Sequence, residues 1–261
     1  MSKTFHRLQV ERAWDTTPRA RVAEFRVPED LEREFAYRAG QYVMLRIDID
    51  GVEQDHAFSL CSSPEAGQPL TIAVKRTESS SVAAHIQSLL IPGAWLMVRP
   101  PSGTFVFDLS PNQQRTFVLF AAGSGITPLL SIATSVLHTE PQSSVHLVYA
   151  NVSATDTMFV DELRQLKKQF AERLQVSFAL EDVTQAHLGD IGSVQVGRFG
   201  ATDIVEAADQ AQRAALPTEF AICGPSGFIE LVATSLGVFG VPAEHIHVES
   251  FSSSPRQTTT P

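Results

Sequence analysis

The 261-residue chain carries only two cysteines, Cys61 and Cys223. Two cysteines cannot build the disulfide framework of a small secreted domain. They suit a reducing compartment, so a cytoplasmic location is expected. Neither belongs to a Cys-x-x-Cys redox pair. They also fall short of the four thiolates that an iron–sulfur cluster usually needs. Basic charge is scarce: 20 Lys and Arg against 29 Asp and Glu leave a net charge of −9. That balance gives no footprint for nucleic acid and no basic patch for anionic lipid. Long hydrophobic runs are missing too. Residues 117–122 are among the longest, far below the roughly 18 to 20 residues that span a bilayer. The opening MSKTFHRLQVERAW has no apolar stretch of the kind a secretory signal uses. What is present is 43% hydrophobic and 19% charged, the composition of a globular chain that can bury a core.

The chain changes character near residue 110. Residues 1–108 read as short strands between Gly and Pro turns. A strand over 41–49 ends at Asp50-Gly51, a hairpin signal. Leu70 to Val74 and Trp95 to Val98 are two more, the latter followed by Pro100-Pro101, and Val82 to Leu90 is helical. This pattern predicts a small antiparallel β-barrel of Greek-key type. Residues 109–114 form the expected linker and residues 252–261 a polar, loose tail. Residues 115–251 alternate differently. Apolar strands at 117–122, 145–150, 176–180, 219–223 and 246–248 alternate with helical stretches at 128–137, 157–170, 202–215 and 226–239. Such alternation predicts an α/β doubly wound parallel sheet.

Gly123-Ser124-Gly125-Ile126-Thr127-Pro128 follows the first of these apolar strands and opens a helix. Glycines there let the backbone turn sharply and approach a pyrophosphate, and the helix start supplies free N–H groups. Thr127 is expected to cap that helix, with Pro128 at its first position. Alone, such a pair is equally an ordinary tight turn. It departs from the dinucleotide fingerprint, whose third glycine is Pro128 here. Cys223-Gly224-Pro225 also follows an apolar strand and opens a helix. Alone, it reads as a buried thiol beside a simple helix start. In a doubly wound sheet, however, both turns lie at the carboxyl ends of strands and point at one crevice.

AAGSGITPLLSI followed by AICGPSGFI resembles the ferredoxin–NADP reductase superfamily. His56-Ala57-Phe58-Ser59-Leu60 aligns with that family's Arg-x-Tyr-Ser flavin motif, and Pro101-Ser102-Gly103-Thr104-Phe105 with its Pro-x-Gly-x-Phe loop. His247-Val248-Glu249-Ser250-Phe251 is similar to the ending of the phenylacetyl-CoA epoxidase reductase and oxygenase-reductase branch. The resemblance covers about residues 5–251. It implies a flavin-binding barrel followed by a nicotinamide nucleotide domain. It also implies an NAD(P)H-dependent FAD oxidoreductase that passes hydride to flavin and electrons onward.

The resemblance assigns roles residue by residue. Ser59 is expected near flavin N5, Thr127 at the ring edge, and Cys223 and Glu249 by the nicotinamide C4. Phe251 either covers the flavin face or is a core aromatic that anchors the last strand. Gly123, Gly125, Asn151, Gly224 and Pro225 are expected along the nucleotide. Val74, Lys75, Ser79, Ser80, Ser81, Val82 and Ala83 stand where the family has a Val-Lys strand and a Gly-Gly-x-x-Ser phosphate segment. The family's glycines are serines here and its serine is Ala83. The family Arg is His56, only partly charged at neutral pH, and the family Tyr is Phe58. FAD is expected over FMN. Val152 occupies the place of a 2′-phosphate Arg, so NADH is expected over NADPH, unless Arg164 or Lys167 swings in. The electron acceptor is expected to be a separate ferredoxin or oxygenase component; relatives often continue into a four-cysteine ferredoxin domain where this sequence ends in SSSPRQTTTP, so either the sequence is cut there or the natural partner is a separate protein. A flavin-free binding or regulatory module on the same fold is the alternative. His85, His138, His146, His187, His245 and His247 show no metal spacing, so no metal site is expected. Asp161 and Glu162 read as solvated helix positions.

Overall fold

The computed structural model describes residues 4–76, 81–183 and 188–251. Ser79, Ser80, His187 and the segment 252–261 lie outside the described residues. Two six-stranded sheets organise the rest.

The first sheet contains β1 (His6–Thr17), β2 (Ala20–Arg26), β3 (Tyr42–Ile49), β4 (Val52–Ser59), β5 (Thr71–Lys75) and β6 (Trp95–Ser102). Their order is β4-β3-β6-β1-β2-β5, with every pair antiparallel. A bridge from Leu60 to Ile72 joins the two outer strands, so the sheet curls on itself as the sequence predicts. In β3 the alternation is plain: Val43, Leu45 and Ile47 point into the core and the residues between them do not. Asp50 and Gly51 both adopt positive φ, 54° and 81°, as a two-residue hairpin turn requires. Helix α1 (Ser81–Leu89) packs on this sheet through Val82, Ala83, Ile86 and Leu89.

Strands β6, β1 and β2 differ from expectation. β6 runs through Pro100 and Pro101 to Ser102 rather than stopping at Val98. β1 pairs with β6 only as far as Val98, so beyond it the strand has β3 on one side alone. A missing N–H is tolerated there. β1, twelve residues long, has no counterpart in the sequence reading, which names no strand before residue 41. Its first half alternates around buried Leu8 and Val10, but its outer half does not. There Trp14 packs against the core beneath the second sheet instead.

The second sheet contains β7 (Thr116–Ala122), β8 (Ser144–Ser153), β9 (Leu174–Asp182), β10 (Ser193–Val196), β11 (Thr218–Cys223) and β12 (Ile246–Glu249). The order is β10-β9-β8-β7-β11-β12 and every pair is parallel. Helices α2 (Ile126–Thr139), α3 (Val160–Gln169), α4 (Ala201–Gln212) and α5 (Ser226–Phe239) cover both faces. Phe117, Leu119 and Ala121 of β7 face α2 and α3, while Val118 and Phe120 face α4 and α5. This is the doubly wound arrangement the alternation predicts. The chain leaves β7 toward β8 and returns to β11 on its other side. The strand order therefore reverses at β7, and the ligand crevice of such sheets opens there.

α2 lies between the sheets. Its apolar core is continuous with Ala39, Cys61, Ala73 and Phe105 of the first half. Ser131 Oγ donates to the Ser62 carbonyl, and Ser135 Oγ donates to Ser63 Oγ at 2.8 Å. α3 begins at Val160 rather than Thr157, because Phe159 sits at φ 62° in the left-handed region. Asp161 is exposed as expected, but Glu162 is half-buried with Trp14 at its carboxylate, and burial raises its pKa.

Candidate functional site

The two glycine turns meet. β7 ends at Ala122, and Gly123–Gly125 form a tight 3-10 turn before α2. Gly123 has φ 55°, which a glycine adopts without strain. At Gly125 the constraint is space: a Cβ would lie 2.1 Å from the carbonyl oxygen of Cys223. The first turn thus rests on the last residue of the neighbouring strand β11. Gly224 and Pro225 follow, and Pro225 is the N-cap of α5.

The expected cap is corrected. α2 starts at Ile126 with Gly125 as its N-cap, so Thr127 and Pro128 lie inside the first turn. The Thr127 hydroxyl donates to the Ser124 carbonyl at 3.0 Å instead of accepting from a helix N–H. The preceding 3-10 turn moves the helix start two residues toward the N-terminus and leaves the hydroxyl to bond the Ser124 carbonyl.

Three further residues border the crevice. Cys223 is opposite Glu249 in the β11–β12 register. Burial pushes the Cys223 thiol up, with the Glu249 charge adding to it, and burial also raises the Glu249 carboxyl. Phe251, just beyond β12, is 45% exposed, so it is not the core aromatic that was one of its two readings. Asn151, near the end of β8, is buried; neither amide atom makes a hydrogen bond of ordinary geometry, though its side chain lies close enough to the Tyr149 hydroxyl to interact with it. A buried amide so weakly bonded is costly unless something else completes it.

The first sheet presents its own residues. His56, Ala57, Phe58 and Ser59 form the second half of the outer strand β4. Phe58 packs on the core and Ser59 is buried. His56 is half-buried and its Nε2 has no partner. Burial lowers its pKa, and neighbouring Asp55 opposes that shift. Asp55 is itself held by Arg46, whose Nε donates at 2.7 Å. Val74 and Lys75 end β5 at the sheet's other edge. Ser81 opens α1, with Val82 and Ala83 behind it against the core.

Sequence reasoning named Lys75 but missed the group around it, Arg19, Asp156 and Tyr149. Lys75 Nζ donates at 2.9 Å to the main-chain oxygen of Asp156, and Arg19 pairs with the Asp156 carboxylate. Tyr149, buried inside β8, donates its hydroxyl to the Gly123 carbonyl at 3.1 Å. No local motif marks Arg19, Asp156 or Tyr149. His245 and His247 both approach Glu219 Oε2, at 3.4 and 2.9 Å.

The geometry fits two cofactors. On one sheet an open imidazole nitrogen stands on an outer strand, at the motif where a flavin diphosphate is expected. On the other a weakly bonded buried amide and two joined turns lie at the strand-order reversal, where a dinucleotide binds.

Comparison with known proteins agrees. Residues 7–107 match an oxidoreductase FAD-binding domain and residues 119–234 an oxidoreductase NAD-binding domain. The chain is 32% identical over 252 residues to a component of the 1,2-phenylacetyl-CoA epoxidase of Escherichia coli K12, covering 95% of this chain and 68% of that one. It is 34% identical over 250 residues to the ferredoxin reductase component of 3-ketosteroid-9-alpha-monooxygenase from Rhodococcus rhodochrous, covering 94% of this chain and 65% of that one. The chain thus spans about two thirds of the length of these relatives. A ferredoxin NADP+ reductase from Neisseria gonorrhoeae with bound FAD and NADP superposes with TM-score 0.74 at 18% identity, over 96% of this chain and 100% of that one. The cytochrome b5 reductase domain of Ulva prolifera nitrate reductase gives 0.75 at 17% identity, over 95% and 97%. At that identity these two structures show the shared fold. The chain therefore belongs to the ferredoxin reductase superfamily of FAD- and nicotinamide nucleotide-binding oxidoreductases.

Proposed function

We propose that this chain takes a hydride from NADH onto FAD and passes the electrons to a separate protein acceptor, a ferredoxin or an oxygenase component, in the cytoplasm. In this reading residues 1–108 hold the flavin and residues 115–251 the nucleotide, with 109–114 as the linker. One observation carries it. The Gly123–Gly125 turn rests on Cys223 at the reversal of strand order. The bound flavin supplies the chemistry of accepting a hydride and releasing single electrons.

The chain's own residues bind and orient. His56 Nε2, Lys75 and the start of α1 face the flavin diphosphate, and Ser59 and Thr127 flank its ring. Asn151 and the two glycine turns hold the nucleotide. Cys223 and Glu249 shape the place of hydride transfer, with Cys223 buried and Glu249 half-buried beside it. Phe251, exposed beyond β12, covers the flavin until the nicotinamide displaces it. The preference for NADH rests on what stands at the end of β8 and beyond it. Val152 is exposed and uncharged, Arg164 is committed to Asp161 and Asp190 at 2.6 Å each, and Lys167 donates to the Ala171 carbonyl at 2.7 Å. None of these three offers a free cation to a 2′-phosphate.

The test is a reduction experiment. FAD-loaded protein mixed anaerobically with NADH loses its flavin colour. Reoxidation then follows addition of ferricyanide or of a ferredoxin. A protein that takes up no FAD, or whose bound FAD NADH leaves oxidised, overturns the reading.

A further inference from the structure

One cluster, which shares only Lys75 with the flavin motif, ties the two sheets together. Arg19 sits in the turn between β1 and β2. Its Nε donates to Asp156 Oδ1 at 3.0 Å, and its Nη2 donates to Oδ2 of the same carboxylate. Asp156 belongs to the segment that follows β8, and its side chain is 10% exposed. Lys75 reaches the main-chain oxygen of the same residue from the end of β5. Three residues later, the Phe159 N–H donates to Thr16 Oγ1 at 2.8 Å. Phe159 is buried and left-handed, a state that a bulky residue keeps only where its surroundings over-determine it.

The same segment continues into the nucleotide turn. The Met158 N–H donates to the Tyr149 hydroxyl at 3.3 Å, and that hydroxyl donates to the Gly123 carbonyl. On the other side, Gln87 of α1 donates to the carbonyls of Arg19 and Val74, at 2.8 and 2.7 Å. A path thus runs from α1 and β5 through the Arg19–Asp156 pair, along the short stretch of chain 156–158, and by hydrogen bonds through Tyr149 to the Gly123 turn.

We propose that Asp156 is a positioning residue: through Arg19 and Lys75 it sets the distance between the nucleotide turn on one sheet and the flavin-binding strands on the other. This rests on the reading above, in which each sheet holds its own cofactor. The apolar core between the sheets is non-directional and permits sliding. A planar guanidinium paired with a carboxylate through two bonds does not. Hydride transfer is sensitive to such sliding: reacting atoms must come within about 3–3.5 Å, and a misplacement of about 1 Å can cost on the order of 100-fold. Nucleotide affinity is less sensitive, because Asn151 and both glycine turns belong to one sheet. Asp156 therefore governs the rate of flavin reduction and leaves NADH affinity nearly unchanged.

Stopped-flow reduction of the FAD-loaded full chain separates the two quantities. In Asp156→Ala and Arg19→Met the limiting rate of flavin reduction falls about tenfold or more, while the dissociation constant for NADH stays within about twofold. The double variant is no slower than either single one, because both act through one contact. Asp156→Asn and Arg19→Lys, milder changes at the same two positions, give the same pattern if the truncations lose the fold. A limiting rate equal to wild type in folded variants overturns the proposal, as does weaker NADH binding with an unchanged limiting rate. Additive losses in the double variant overturn it as well. Wild-type flavin that NADH leaves oxidised refutes the underlying reading instead, before any variant is compared.

Discussion

Gly125 rests on the carbonyl of Cys223, so close that a Cβ at residue 125 would lie 2.1 Å from that oxygen. Each residue belongs to a different turn, and each turn ends a different strand of the parallel sheet. Gly125→Ala must therefore push the two turns apart. The overpacking cost is about 1–3 kcal/mol in stability. The functional cost is larger, because the displaced atoms are the nucleotide's own seat. The expected outcome is a folded, yellow protein with a lower melting temperature, whose flavin NADH reduces at least tenfold more slowly. Wild-type reduction kinetics in this variant would contradict the placement of the nucleotide.

Flavin affinity is expected to depend on pH through His56. Burial lowers its pKa in the free protein, and Asp55, tied to Arg46, offsets this only in part. A flavin diphosphate at the open Nε2 favours the imidazolium and raises the pKa in the complex. The sign follows from linkage. The added affinity is complete below the free-protein pKa and is lost as pH rises through the higher pKa of the complex. Each unit of difference is worth about tenfold in affinity. FAD titrations of apoprotein at several pH values check this, with His56→Ala beside wild type. The variant's profile is flat, and His56→Arg binds more tightly with little pH dependence. Parallel profiles for wild type and His56→Ala would remove His56 from the phosphate site.

Nucleotide choice is expected to turn on Val152. It is 57% exposed, so a longer side chain fits without repacking. Val152→Arg adds a charge-assisted hydrogen bond to a 2′-phosphate, worth about 1.5 kcal/mol at the lower end, roughly tenfold in kcat/KM for NADPH. NADH values change little. Wild type favours NADH in the same assay; a clear NADPH advantage in wild type would show that another residue recognises the phosphate.

Glu249 is expected to oppose stability at neutral pH. Burial raises its pKa above that of the unfolded chain, so the folded state binds more protons in the window between the two values. Stability then falls as pH rises through that window, and the penalty is complete above the folded-state pKa. Glu249→Gln removes it. The variant melts higher than wild type at neutral pH, and the difference disappears below the ordinary glutamate pKa of about 4.3. Its flavin reduction is slower, the usual exchange of stability against function at a site. Equal melting temperatures across the whole pH range would show that the carboxylate is solvated.

The doubly wound sheet is legible because its central strands are apolar runs and two of them, β7 and β11, end in glycine turns, whereas the largely exposed edge strand β10 carries no such signal and goes unread. The meeting of the two turns follows from topology once that order is read. The long hairpin of β1 and β2 is not legible, because Trp14 leans on the second half of the chain and breaks the inward–outward alternation. Thr127 before Pro128 looks like a helix cap, but the 3-10 turn ahead of it moves the helix start. The start of α3 is hidden by the left-handed Phe159. Arg19 and Asp156 stand 137 residues apart, and their pairing exists only because the two sheets dock. Periodicity and local motifs carry no signal of it.

The central claim is that one chain seats FAD and a nicotinamide nucleotide close enough for hydride transfer. The most direct measurement is anaerobic mixing of FAD-loaded protein with one equivalent of NADH, followed by absorbance. The account predicts loss of the oxidised-flavin band within the turnover time of the enzyme, with matching loss of the NADH band. Bound flavin that stays oxidised while NADH stays intact would contradict it.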